Sequence, residues 1–298
     1  MSPSENTALV IVGPTASGKT SLSLQAASVH HTSIISADSR QCYREMNIGV
    51  AKPSPQELSA VRHYFIDSHS IHEPVDAVVF EQEALKAADE IFSNSNIAVV
   101  TGGTGLYVKV FCEGIDDIPA VEPSVKEKVD EVFRERGVAG LQQWLAEVDP
   151  EFMRGTHETS NRVRLMRALE VKLSSGSSIL SFRAGEKKNR PFQIHKFGIQ
   201  WPRELLYQRI NTRVENMISQ GLLQEATALF PFRQLKALQT VGYQEIFDHL
   251  EGRYSLDEAV DKIKQHTRNY AKRQMTWFSR DSSIQWFSYE ELTKRFGG

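Results

Sequence analysis

Short apolar runs and longer amphipathic stretches alternate along much of the chain. Ala8-Leu9-Val10-Ile11-Val12 is brief, β-branched and closed by Gly13, the pattern of a buried strand, and a helical pattern follows from Ser21. Ile34-Ile35, Ile97 to Val100 and Phe197 to Ile199 read as further strands, each separated from the next by helical or mixed sequence. Strands alternating with helices predict an α/β fold with a parallel sheet flanked by helices. Between about Ile115 and Arg190 the strand-like runs vanish. Val121, Val125, Val129, Val132 and Phe133 fall on one helical stripe, with Lys126, Glu127, Lys128 and Asp130 on the other side. This predicts an inserted all-helical lobe over residues 115–195, interrupting a core made of residues 1–114 and 196–298. Beyond Trp201-Pro202 helical stripes dominate, first Leu206, Ile210, Val214, Met217 and Ile218, then Leu256, Val260 and Ile263.

With 298 residues, 40% hydrophobic and 24% charged, the chain has an ordinary globular composition and can bury a sizeable core. Its polar start, Met1 to Thr7, and the lack of a long apolar run predict a cytoplasmic protein with no membrane partner. Cys42 and Cys112 are too few for a disulfide framework, and both are expected to be reduced. Lys plus Arg total 35 against 37 Asp plus Glu, so only local charge clusters can argue for a polyanionic partner.

Gly13-Pro14-Thr15-Ala16-Ser17-Gly18-Lys19-Thr20 fits G-x-x-x-x-G-K-[ST] between a predicted buried strand and a helix. In that setting, backbone N–H groups converge on phosphate oxygens, Lys19 adds a point charge, and Thr20 is the candidate Mg²⁺ ligand. The loop predicts a bound diphosphate or triphosphate without deciding which ester it carries. Asp38 follows the second strand, in Ser36-Ala37-Asp38-Ser39-Arg40-Gln41, at the sheet edge where ligands bind in such folds. It is the candidate general base, or else a turn or helix-cap aspartate. A second glycine-rich turn, Thr101-Gly102-Gly103-Thr104-Gly105, lies at the same edge and lacks the acid that Mg²⁺-dependent phosphoryl transfer ordinarily uses there.

These segments, with Gly-Val-Ala-Lys-Pro (49–53), His-Tyr-Phe-Ile-Asp (63–67), Val-Gly-Tyr-Gln-Glu (241–245) and Tyr-Ala-Lys-Arg-Gln-Met-Thr-Trp-Phe (270–278), closely resemble the tRNA dimethylallyltransferase family, also called tRNA isopentenyltransferases. The motifs run from residue 13 to 278 in family order. The resemblance implies a P-loop NTPase-like fold and transfer of a dimethylallyl group from dimethylallyl diphosphate to N6 of the adenosine 3′-adjacent to the anticodon. It implies catalytic roles for Asp38, Thr104, Lys19 and Arg213. The diphosphate would be held by Gly13, Pro14, Thr15, Ala16, Ser17, Gly18, Lys19, Thr20 and Arg213; spacing alone does not choose Arg213 over Arg209.

The tRNA partner would touch Asp38, Ser39, Arg40, Gln41, Thr104, Lys126 and the segment Asn161, Arg162, Val163, Arg164, Leu165 and Met166. Lys262, Lys264, Arg268, Lys272, Arg273 and Arg280 form a run without Asp or Glu that adds a backbone-binding surface or a solvated helix face. Val50 stands where the family usually has threonine and Lys126 where it often has arginine, which loses a bidentate fork. With the chain ending at Gly298 without a Cys/His extension, the expectation is a short bacterial form, acting as a monomer. The alternatives are a small-molecule kinase, an adenylate isopentenyltransferase acting on free AMP, ADP or ATP, and a non-catalytic RNA-binding NTPase.

Overall fold

The structure, a computed structural model, describes residues 6–155, 159–183, 185 and 187–297. The chain divides into two compact units, one of Met1–Gly114 with Asn189–Gly298, the other of Ile115–Lys188. The second unit spans 115–188 where the sequence pattern suggested 115–195, and strand pairing resumes at Gln193, ahead of the apolar run Phe197 to Ile199 that alone was legible.

In the first unit the chain runs β1 (Thr7–Val12), α1 (Lys19–Val29), β2 (Ile34–Ser36), α2 (Pro55–Ala60), β3 (His63–Tyr64), α3 (Ala77–Phe92), β4 (Ile97–Gly102) and α4 (Gly105–Glu113). The second unit holds α5 (Pro123–Val148), α6 (Pro150–Gly155), α7 (Arg162–Ser175) and α8 (Ile179–Phe182). The first unit then resumes with β5 (Gln193–Gln200), α9 (Arg203–Ser219), α10 (Leu222–Leu229), α11 (Tyr243–Leu250), α12 (Leu256–Phe278), β6 (Ile284–Ser288) and α13 (Tyr289–Phe296).

The six strands form one parallel sheet in the order β3-β2-β4-β1-β5-β6. β1 is central because its residues from Ala8 to Val12 are buried on both faces, which an uninterrupted apolar run permits and an alternating one does not. Leu9 and Ile11 share a core with Leu22 and Ala26 of α1 and with Leu292 and Phe296 of α13. Two strands escaped the sequence pattern. β3 is only two residues long, and β6 carries Gln285 and Ser288 on an edge where polar residues are tolerated.

The second unit has its own core, in which Val125, Val129, Leu141, Leu145, Phe152 and Leu169 are buried. Val132 and Phe133 pack against it, so the stripe faces inward over α5, while Val121, which also packs there, precedes the helix and is not part of the stripe as the sequence suggested. α5 is broken at Gly137, whose φ of 62° lies outside the helical region.

Candidate active site

Parallel pairing brings three strand ends together. Val12 of β1 lies opposite Gly102 of β4, and Ser36 of β2 lies opposite Thr101, so the segments that follow all emerge at one edge of the sheet. They are stitched to each other by backbone bonds: Ala37 N–H donates to Thr101 at 2.7 Å, and Thr104 N–H donates to Ala37 at 3.2 Å. At this edge opens a cavity of about 1190 Å³, whose described lining residues belong to the first unit.

The phosphate loop spans Gly13 to Thr20, and α1 begins at Lys19, two residues earlier than the sequence pattern suggested. Gly18 caps the helix at φ 93° without a side-chain bond to the first turn. That leaves the helix N-terminus to whatever anion enters. A Cβ at Gly18 would also meet the Tyr289 ring at 2.5 Å, so both space and φ call for glycine. Ala16 sits at φ 62°, a left-handed conformation that costs a non-glycine residue free energy and must be held from outside. Three side chains do this. Arg209 Nε donates to the Ala16 carbonyl at 2.8 Å, Trp201 Nε1 donates to Ser17 O at 2.9 Å, and Gln274 Oε1 accepts from Thr15 N–H at 2.8 Å. Lys19 Nζ donates to the Gly13 and Pro14 carbonyls at 2.9 and 2.8 Å. Ser17 Oγ is buried with no partner, an unspent donor inside the loop.

This geometry separates the two arginines that spacing left equivalent. Arg209 lies 4.5 Å over the Trp201 ring and is spent on the loop backbone. Both arginines line the cavity, but it is Arg213, one turn further along α9, whose guanidinium pKa is lowered by burial, an effect that Asp38 opposes. Burial, and after it the charge of Arg213, also pull Lys19 down to about 7, against the stabilising charge of Asp38.

Asp38 combines both roles considered for it. Its Oδ1 accepts from the N–H groups of Arg40 at 2.9 Å and Gln41 at 3.4 Å, closing a turn, while no described residue donates to Oδ2. The carboxylate lines the cavity with Lys19 and Arg213. Thr104 Oγ1 accepts from Ser39 N–H at 3.0 Å and donates to Ser39 Oγ at 3.3 Å, fixing the residue next to Asp38. Gln41 turns inward: its Nε2 donates to Val50 O at 3.3 Å and Ala51 O at 3.1 Å, and its Oε1 accepts from Ser36 Oγ at 3.2 Å. Arg40 lines the cavity.

Several functional-looking residues have no signal in local sequence. Glu225 on α10 accepts from three consecutive backbone amides, Asn47 at 3.1 Å, Ile48 at 2.8 Å and Gly49 at 2.9 Å, and from Tyr243 Oη at 2.5 Å. The Tyr243 ring occupies the space a Cβ on Gly49 would need. These contacts fix the wall segment that presents Ile48 and Val50 to the cavity, with Leu58, Ile66 and Met217 also in the lining. Tyr270, pushed up to about 12 by burial and then by Asp38, stays a neutral donor beside them. The cavity therefore offers an anion cradle, a carboxylate and apolar side chains together.

In the second unit Lys126, Asn161, Arg162, Val163 and Arg164 are exposed. Asn161 Oδ1 caps α7 by accepting from Val163 and Arg164 N–H at 3.1 and 3.3 Å. Leu165 is fully buried in the unit's core and Met166 packs against that core, so the exposed side chains of the expected RNA-contacting segment are those of Asn161 to Arg164. The basic run on α12 is also divided. Lys264 pairs with Glu215 at 2.9 Å and Arg268 donates to Asn211 at 2.8 Å, whereas Lys272, Arg273 and Arg280 are exposed. Both cysteines are buried and free, and burial pushes each thiol up to about 12. Among the described residues no helix is long and apolar enough to cross a membrane.

Fold and loop define a P-loop-type α/β protein whose site suits a phosphorylated ester with an apolar part. The family model for IPP transferase matches residues 41–281. A tRNA dimethylallyltransferase of Cytophaga hutchinsonii is 43% identical over 289 residues, covering 96% of this chain and 94% of that protein. Among solved structures, the tRNA isopentenylpyrophosphate transferase of Bacillus halodurans superposes with a TM-score of 0.71 at 32% identity, covering 98% of this chain and 95% of that one. A eukaryotic dimethylallyltransferase acting on tRNA shares the fold, with a TM-score of 0.80 at 23% identity over 97% of this chain and 76% of the other. The chain belongs to the IPP transferase family.

Proposed function

We propose that this chain transfers a dimethylallyl group from dimethylallyl diphosphate to N6 of the adenosine 3′-adjacent to the anticodon of tRNA, releasing diphosphate. The observation that carries the reading is one cavity in which the phosphate loop, Arg213 and Asp38 stand with Ile48, Val50 and Met217. An anion cradle with apolar neighbours suits a prenyl diphosphate better than a nucleotide. β4 runs into Thr101 and Gly102 without an acid, which speaks against a kinase. A helical unit with its own core exceeds what free AMP would need, and a non-catalytic NTPase leaves Asp38 unused.

In the proposed mechanism the diphosphate lies on the N–H groups at the start of α1, with Lys19, Arg213 and the unpartnered Ser17 hydroxyl around it. The target base is flipped out of the anticodon loop, a cost of a few kcal/mol that contacts to the RNA backbone offset. As the N6–C1 bond forms, the C1–O bond breaks and its electron pair leaves with the diphosphate. Lys19, Arg213 and the loop amides stabilise that charge. Oδ2 of Asp38 takes the N6 proton, while Oδ1 stays bound to its turn. Thr104 keeps Ser39, and through it Asp38, in place.

Mg²⁺ is the proposed cation. The Thr20 hydroxyl, at the first turn of α1 and in the cavity lining, fits as one ligand. Among the described residues no group of three or more His, Cys, Asp or Glu side chains is placed to hold a metal, so diphosphate oxygens and water would complete the shell. Bound there, the ion would neutralise charge on the leaving group. The tRNA surface is proposed to include Arg40, Lys126, Asn161, Arg162, Val163, Arg164, Lys272, Arg273 and Arg280. The chain is proposed to act as a monomer, and a tRNA substrate fits the cytoplasm.

The test is mass spectrometry after incubation with Mg²⁺ and dimethylallyl diphosphate, offering unmodified anticodon stem-loop RNA and AMP in parallel. A dimethylallyl adduct on the RNA alone is expected. An adduct on AMP alone, or turnover of ATP with no adduct, would overturn the reading.

A further inference from the structure

The phosphate loop and the turn carrying Thr104 follow neighbouring strands, and one side chain from a distant helix holds both. Gln274 on α12 is 5% exposed, accepts from Thr15 N–H through Oε1 at 2.8 Å, and donates from Nε2 to Gly103 O at 2.9 Å. Its amide nitrogen also fills the space a Cβ on Gly103 would occupy, which explains a glycine there at an ordinary φ. From Gly103 the contacts continue to Thr104, whose hydroxyl holds Ser39 next to Asp38. The loop that would cradle the leaving group is thus joined to the general base through one carboxamide.

We propose that Gln274 is a positioning residue that couples occupancy of the phosphate loop to the geometry of the acceptor side, Asp38 and Thr104. The inference deepens the functional reading above and rests on it for the identity of the two ligands. Thr15 N–H is committed to Gln274, so a shift of the loop onto an anion is passed to Gly103 through a buried, doubly bonded group. A carboxamide is suited to this because it accepts and donates at one end of one side chain and does not ionise. Methionine has similar length and makes neither bond. Glutamate accepts from Thr15 at any pH but donates to Gly103 only when protonated.

Binding of an unmodified anticodon stem-loop RNA, measured with and without inorganic diphosphate and Mg²⁺, reads the coupling directly. In the unsubstituted protein diphosphate is expected to tighten RNA binding by about fivefold or more. In Gln274→Met that factor is expected to fall to about one, whatever the substitution does to the affinity of either ligand alone. In Gln274→Glu the coupling is expected to be absent at pH 8 and to return as the pH falls and the carboxyl group regains its proton.

Tyr270, which lies beside Gln274, and Lys19, whose side-chain nitrogen also lies beside Gly103, are titratable neighbours, so each variant is compared with the unsubstituted protein at the same pH. Coupling that survives in Gln274→Met, is missing from the unsubstituted protein, or is independent of pH in Gln274→Glu overturns the proposal. If the methionine variant does not fold, the pH response of the glutamate variant decides alone. Coupling present in the unsubstituted protein and lost in the variants, with no prenyl transfer by either, would overturn the functional reading and leave the positioning role standing.

Discussion

Arg209 donates through Nε to the carbonyl of Ala16 at 2.8 Å and so braces a strained residue, while Arg213, one turn away in the same cavity lining, is buried within the field of Asp38. The two should fail differently when replaced. Arg209→Ala should lower stability by about 1 kcal/mol, the scale of one lost hydrogen bond, and weaken diphosphate binding through a loosened loop. Arg213→Gln removes a charge whose burial is unfavourable, so its melting temperature should hold or rise while turnover falls by about 10²-fold. Thermal melts paired with single-turnover rates check this, and matching losses of stability in both variants would contradict it.

Asp38→Asn separates the turn from the proton transfer. Asparagine keeps Oδ1 as an acceptor for Arg40 and Gln41 N–H but is not a base. Turnover should drop by roughly 10²–10⁴-fold with RNA affinity little changed. A variant of full activity would remove Asp38 from the mechanism.

Lys19 makes the empty loop sensitive to pH. Burial and Arg213 hold it at about 7, far below its ordinary 10.5, so between those values the unfolded chain carries the extra proton. Stability from this group therefore rises with pH across that window, and below about 7 the folded state bears the full cost of the buried charge. A bound diphosphate needs the ammonium, so binding above pH 7 should take up a proton and weaken by up to about tenfold per pH unit. Calorimetric titration in buffers of different ionisation heat reads the uptake directly. Lys19→Met should abolish it.

Glu225 holds three backbone amides at 47–49 from α10, and its loss strands all of them along with the Tyr243 hydroxyl. Glu225→Ala should cost about 1.5–3 kcal/mol, the range for a hydrogen bond to a charged group, measured by urea unfolding. Because the same segment presents Ile48 and Val50 to the cavity, the Michaelis constant for the prenyl diphosphate should rise more than that for RNA. An unchanged Michaelis constant would detach this wall from substrate binding.

The parts of this molecule that were legible in sequence are those encoded locally. Ala8 to Val12, Gly13 to Thr20 and the stripe from Val125 to Phe133 each carry their signal within one turn or strand, and the structure places them as read. Glu225 and Trp201 act on segments far away in the chain, and nothing in their neighbourhood distinguishes them from surface polar or packing residues; Gln274 stood inside the motif 270–278, but its bonds to Thr15 and Gly103 needed the fold. Arg209 and Arg213 share one helix and similar flanks, yet Arg209 bonds to Ala16 and Arg213 joins Asp38, a division that requires the tertiary fold. β3 went unseen because two residues, Ile34 and Ile35, supply all its pairing. The burial of Leu165 was not legible because a basic stretch conceals the apolar face of its own helix.

The helical unit is a single uninterrupted segment, Ile115–Lys188, set between the two stretches of chain that together make the sheet-bearing unit. Lengthening a connection costs only about 0.6 kcal/mol per doubling, and none of the described residues lining the cavity belongs to that segment. Residues 115–188 can therefore be shortened, lengthened or recharged without replacing any described residue of the cavity wall.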